Sequence, residues 1–154
     1  MSTEQPFHIL VVDDELSMRD LLEFLLLREG YRVSSAESGR KAIAMLEKER
    51  FDLIVCDIRL GDITGLEVLR AAKAKDPQTI VIMISAYVTT EVAVEAMNEG
   101  AYDYVPKPFD NEELKATIAK LQQAGLKAGL HFLTAGMYAT DPLVTPVPDK
   151  GIYS

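Results

Sequence analysis

A chain of 154 residues, 48% of them hydrophobic, has enough apolar material for one domain with its own core, and one domain is the expectation. A formal net charge of −8 argues against a binder of nucleic-acid backbones, whose affinity rests on Lys and Arg neutralising phosphates. The single cysteine, Cys56, excludes an internal disulfide. No cationic leader with an apolar stretch opens the sequence, and runs such as residues 80–84 are far too short to cross a bilayer, so a soluble cytoplasmic protein is expected.

Short β-branched runs alternate with stretches of helical period, the pattern of βαβ units around a parallel sheet. Residues 7–12 read as strand β1, and Leu16, Leu21, Leu22, Leu25 and Leu26 mark helix α1, stopped by Gly30. Residues 31–35 read as a shorter, half-exposed β2. Ser38-Gly39 opens α2, with Ala42, Ile43 and Leu46 on its apolar face and an end near Arg50. Residues 53–56 (LIVC) form a continuous apolar run, as expected of a strand covered on both faces, and read as β3 with Asp57 at its end. Gly61 and Gly65 bracket a loop, and Leu66, Val68, Leu69 and Ala72 give α3, ended by Asp76-Pro77. Residues 80–84 are β4, residues 90–99 α4 with Gly100 after it, and residues 102–105 β5. Asp110 or Asn111 caps a last helix, α5, so that a (βα)5 body closes by about residue 122. Residues 123–154 read as an appendage broken by glycines and prolines; residues 124–133 could extend α5, and residues 140–154 read as irregular.

Ligands of an open parallel sheet bind beyond the carboxyl ends of its strands, near the point where the winding reverses. The strand ends carry Asp13-Asp14, Asp57, Ser85-Ala86 and Lys107. Three carboxylates meeting in one crevice repel one another unless a cation lies among them, and an all-oxygen, wet site suits Mg²⁺. Lys107 adds a mobile charge for a phosphoryl oxygen and the Ser85 hydroxyl a further donor. Such a set suits phosphoryl transfer to a carboxylate, with Asp57 the best-placed nucleophile.

Through Val12-Asp13-Asp14-Glu15, Asp57, Ser85-Ala86, Tyr104 and Lys107-Pro108-Phe109, in order and each at the end of its strand, the sequence resembles the response-regulator receiver family over residues 7–121. The resemblance implies a doubly wound, flavodoxin-like α/β fold with a five-stranded parallel sheet in the order 2-1-3-4-5. It implies Asp57 as phosphoacceptor, Asp13 or Asp14 as a direct Mg²⁺ ligand with the other acting through water, and the Arg59 carbonyl as another ligand. By the same resemblance Lys107 contacts phosphate, Ser85 moves toward the phosphoryl group, Tyr104 turns inward behind it, and the Lys107-Pro108 bond is cis. A sensor histidine kinase is the implied partner, with output through an α4-β5-α5 surface, including homodimerisation. Catalysis would be limited to the chain's own phosphorylation and dephosphorylation. Residues 85–87 and 100–104 look most like receivers of transcriptional activators that carry ATPase and DNA-binding domains. Arg59 and Tyr87 stand where this family tunes dephosphorylation.

Taken singly, these residues have blander readings. An isolated Asp13-Asp14 would be a loop or helix cap, and Tyr104 ordinary core. Cys56 reads as a small inert hydrophobe, and His8 and His131 as structural or surface residues without a zinc pattern. A haloacid-dehalogenase-like phosphatase also uses a strand-end aspartate, Mg²⁺ and a lysine, but places a second aspartate two residues after the nucleophile, where this chain has Arg59. A degenerate receiver serving only for dimerisation conflicts with the complete acidic set and Lys107.

Overall fold

The computed structural model describes residues 7–86 and 89–128, with side chains through residue 124. Expectations for Tyr87, His131, residues 129–133 and residues 140–154 lie outside the described residues. The described residues fall into two units divided after Asn111.

In the first unit the elements run β1 (His8–Val12), α1 (Leu16–Arg28), β2 (Arg32–Ala36), α2 (Gly39–Lys48), β3 (Leu53–Asp57), α3 (Gly65–Lys75), β4 (Ile80–Ser85), α4 (Thr90–Asn98) and β5 (Asp103–Pro106). All strand pairs are parallel and the order is β2-β1-β3-β4-β5. The expected fold is thus the observed one. Every residue of β1 and β3 is buried, whereas the edge strands β2 and β5 are half exposed, matching the contrast between unbroken and mixed apolar runs.

Side chains alternate across the sheet, so each central strand feeds two cores. Leu10, Val12, Ile54, Cys56, Val81 and Met83 pack with Ala42 and Leu46 of α2 and Val68, Leu69 and Ala72 of α3. Their neighbours Ile9, Val11, Leu53, Val55, Ile82 and Ile84 are equally buried and point the other way, and Leu22 and Leu26 are the buried residues of α1. Helix ends follow local chemistry. Gly30 has φ +93° and its N–H donates to Leu27 O at 3.0 Å, closing α1 as expected, and the Ser38 hydroxyl accepts from Lys41 N at 3.1 Å to open α2.

One glycine departs from its expected place. Gly65 is the first residue of α3 and not part of the loop, and a Cβ there would collide with the carbonyl oxygen of Asp57. Gly61 does serve loop geometry, with φ +86°. His8 is structural as read: it is buried, its Nε2 lies 2.9 Å from Ser34 Oγ, and its ring stands 4.4 Å from that of Phe51.

Helix α5 spans Asn111–Ala128, with all but its first residue in the second unit, and presents Leu114, Ile118 and Leu121 as a buried stripe at helical spacing. The helix runs past residue 122 through Gly125, a residue that weakens a helix by about 1 kcal/mol without ending it. Residues 124–128 therefore extend α5, as the sequence allowed.

Candidate functional site

The sheet order reverses direction between β1 and β3. Val12 pairs with Cys56, so the next residues, Asp13 and Asp57, emerge side by side at the carboxyl edge. Asp57 also pairs with Ile84, which places Ser85 at the same edge, and Lys107 N donates to Ser85 O at 2.8 Å. Four chain segments far apart in sequence thus end at one crevice because a parallel sheet sends all its carboxyl ends the same way.

Lys107 binds across that crevice. Its Nζ donates to Asp57 Oδ2 at 2.8 Å and to Asp13 Oδ2 at 2.9 Å, with Glu15 Oε1 at 3.8 Å. Asp57 Oδ1 accepts from Arg59 N at 3.0 Å, and Asp13 Oδ1 from Glu15 N at 2.9 Å. Asp13 is fully buried, Asp57 nearly so, and Asp14 exposed at the rim. One ligand oxygen from each of these three carboxylates lies within 4.8 Å of the others. The Lys107-Pro108 peptide is cis, as the resemblance implied.

The charge of this cluster is incompletely compensated. Burial, with the Asp13 charge added, pushes the Asp57 carboxyl above its usual range against the opposing pull of Lys107 and the Arg59 amide. Burial alone would lower Lys107, but hydrogen bonds and charge from Asp57 and Asp13 raise it. Both groups are thus shifted upward from their ordinary values, as expected where the Asp13 and Asp57 carboxylates share one ammonium. A divalent cation would supply the missing charge, and oxygen donors at this spacing fit a hard ion such as Mg²⁺.

Ser85 is buried at the end of β4, and Tyr104, half-buried on β5, packs against the core and is hydrogen-bonded to the Ser85 side chain. The two residues assigned to the switch are therefore in direct contact. Arg59 joins the site through its N–H and forms a lone antiparallel bridge with Thr64 across the following loop. Cys56, wholly buried, has its thiol pushed well above the usual range by burial and so stays protonated, in keeping with an inert role.

Three residues given no role from the sequence contribute. Arg19 Nη1 donates to the Asp13 carbonyl at 2.7 Å, Glu15 stands near Lys107, and Asp62 accepts from Gly39 N at 3.0 Å and Arg40 N at 2.9 Å. Arg19 and Glu15 carried a weak signal, being close to Asp13 in the chain. Asp62 carried none, since a lone acid in a loop reads as a turn former.

A family model described as the response regulator receiver domain matches residues 9–119. The chain belongs to the response regulator receiver family. It is 42% identical to the transcriptional regulatory protein ZraR of Escherichia coli over 118 residues, 77% of this chain and 27% of that protein. It is 37% identical to the alginate biosynthesis transcriptional regulatory protein AlgB of Pseudomonas aeruginosa over 119 residues, 77% of this chain and 26% of AlgB. The expected likeness to receivers of transcriptional regulators therefore holds, and the chain spans about a quarter of the length of these curated relatives. Among solved structures, a CheY-like receiver domain protein from Methanospirillum hungatei superposes with TM-score 0.76 at 33% identity, covering 80% of this chain and 99% of the other. The beryllofluoride-activated NtrC4 receiver domain dimer superposes with TM-score 0.71 at 33% identity, covering 75% and 96%. Among the described residues no helix is long and apolar enough to cross a membrane.

Proposed function

We propose that this chain is the phosphoryl-accepting receiver of a two-component pathway, with Asp57 as acceptor and a sensor histidine kinase as donor. The observation that carries the reading is the convergence of Asp13, Asp14 and Asp57 within 4.8 Å, with the Lys107 ammonium bonded to two of them. A carboxylate oxygen of Asp57 attacks phosphorus in line as the bond to the kinase imidazole breaks; the imidazole keeps the electron pair and takes a proton. Water later attacks the acyl phosphate, returning the carboxylate and releasing inorganic phosphate. Asp13, Asp14, Asp57 and the Arg59 carbonyl would hold Mg²⁺, which when bound neutralises charge on the transferring group.

The chain's own residues supply the rest. Lys107, already 2.8 Å from Asp57, transfers its hydrogen bond to a phosphoryl oxygen, and the Arg59 N–H keeps the carboxylate oriented. Ser85 turns its hydroxyl toward the phosphoryl group, and Tyr104 follows through the contact the two side chains share. The altered α4-β5-α5 surface then controls homodimerisation or an output partner, as the dimeric NtrC4 receiver suggests by analogy. Catalysis by this chain is confined to its own phosphorylation and dephosphorylation, in the cytoplasm. With a net charge of −8, the chain's own partners are proteins and not nucleic acid, and transcriptional control belongs to a DNA-binding output elsewhere.

Mass spectrometry after incubation with acetyl phosphate and Mg²⁺, on wild type and Asp57→Ala and beside size-exclusion chromatography, tests the reading. A phosphoryl adduct that needs both Mg²⁺ and Asp57 is expected, with a shift to dimer if the surface acts by self-association. Absence of both an adduct and beryllofluoride binding would sink the proposal.

A further inference from the structure

The loop between β3 and α3 is closed at its base and pinned at its tip. At the base, Gly65 N donates to Ile58 O at 2.7 Å and Arg59 bridges to Thr64. At the tip, the two carboxylate oxygens of Asp62 accept from the first two backbone N–H groups of α2, Gly39 at 3.0 Å and Arg40 at 2.9 Å. These residues are 23 and 22 positions away in the chain, so this is a helix cap delivered from another element. Ile63 seats the tip further: its side chain lies against the helix start, where a Cβ on Gly39 would collide with Ile63 Cγ1.

The arrangement favours a firm hold. A carboxylate at a helix N-terminus is stabilised by unpaired N–H groups and by the helix dipole, and these backbone bonds hold the Asp62 carboxyl down to about 2. The same loop carries the Arg59 N–H, 3.0 Å from Asp57 Oδ1, and passes Asp14, since a Cβ on Gly61 would lie 3.5 Å from Asp14 Oδ2. Arg59 and Asp62 are thus two pinned points of one short loop, three residues apart.

We propose that Asp62 is a positioning residue of the acceptor site: by capping α2 it fastens the β3–α3 loop and so holds the Arg59 backbone where the acceptor and its cation need it. The inference rests on the receiver chemistry proposed above and adds a residue to it that touches neither phosphate nor metal. It also separates two roles that a cap would otherwise mix, because the Ser38 hydroxyl caps the same helix from its own chain segment, accepting from Lys41 N.

The test compares Asp62→Ala, Asp62→Asn and Ser38→Ala with wild type in the full chain. Amide NMR follows Mg²⁺ titration at residues 57–59, and hydrogen exchange of the Arg59 amide is measured without metal. Asp62→Ala is expected to weaken Mg²⁺ binding about tenfold, the low end for loss of a residue that orients ligands, and to speed exchange at Arg59. Asp62→Asn, whose amide oxygen still accepts, recovers part of both. Ser38→Ala destabilises α2 but keeps the wild-type Mg²⁺ midpoint and Arg59 exchange. Wild-type midpoint and exchange in Asp62→Ala, or equal losses in Ser38→Ala, would overturn the inference while leaving the receiver reading intact. A wild-type chain that does not bind Mg²⁺ overturns both.

Discussion

Asp57 is held ready at a cost. Its carboxylate is buried beside that of Asp13, and one ammonium serves both. Removing it relieves repulsion and leaves Lys107 paired with Asp13, so Asp57→Ala should be more stable than wild type in Mg²⁺-free urea unfolding at neutral pH. The sign follows from the raised carboxyl: it lends stability that is full below its unfolded value of 3.8 and is lost as pH rises through the higher folded value. The advantage of the variant should therefore shrink on acidification, and a constant gap across pH would refute this electrostatic account. His8 behaves in the opposite sense. Burial, then the Arg32 charge, lowers it against the pull of Glu49 and Asp52, so its contribution is full above 6.5 and falls as pH drops through the lower folded value. Thermal melts between pH 7.5 and 5.5 should show a smaller pH-dependent loss for His8→Gln than for wild type, although the variant starts lower, without the ring packed on Phe51.

Among the elements, the β3–α3 junction carries the strictest steric demand. Helix α3 begins so close to the end of β3 that the Cα of Gly65 faces the Asp57 backbone. Gly65→Ala must shift the acceptor strand or the helix, an overpacking that should cost about 1–3 kcal/mol in chemical denaturation. A displacement on the order of 1 Å at Asp57 should slow acetyl-phosphate labelling by about 10–100-fold, and a labelling rate within about twofold of wild type would show that the helix, not the acceptor, yields. Arg70 joins α3 to Glu95 of α4 and to Glu99 just after it at 2.9 and 3.3 Å, but these half-exposed ion pairs contribute at most about 1 kcal/mol and weaken with salt.

For the molecule as a whole, the proposed function links site and stability through the cation. Anything that binds the folded state alone stabilises it by mass action, so Mg²⁺ at about 100 times its dissociation constant should add about 2.7 kcal/mol. The melting temperature should rise with Mg²⁺, return to its starting value with a chelator, and rise less in Asp13→Asn. Equal rises in wild type and Asp13→Asn would mean that the ion binds elsewhere.

The sequence by itself determined the α/β class, the burial of β3 on both faces, the stops at Gly30 and Gly100, and the residues that share the site. These are properties of local composition: unbroken apolar runs mark strands covered on both faces, glycine marks chain reversal, and a parallel sheet gathers its carboxyl ends at one edge. Only the tertiary structure decided that Gly65 opens α3, that Tyr104 rests on Ser85, that Arg19 holds the Asp13 carbonyl, and that Asp62 caps a helix 22 residues upstream. Each depends on how separate elements approach one another to within a hydrogen bond or a single methyl group, a distance that no period of residues along the chain encodes.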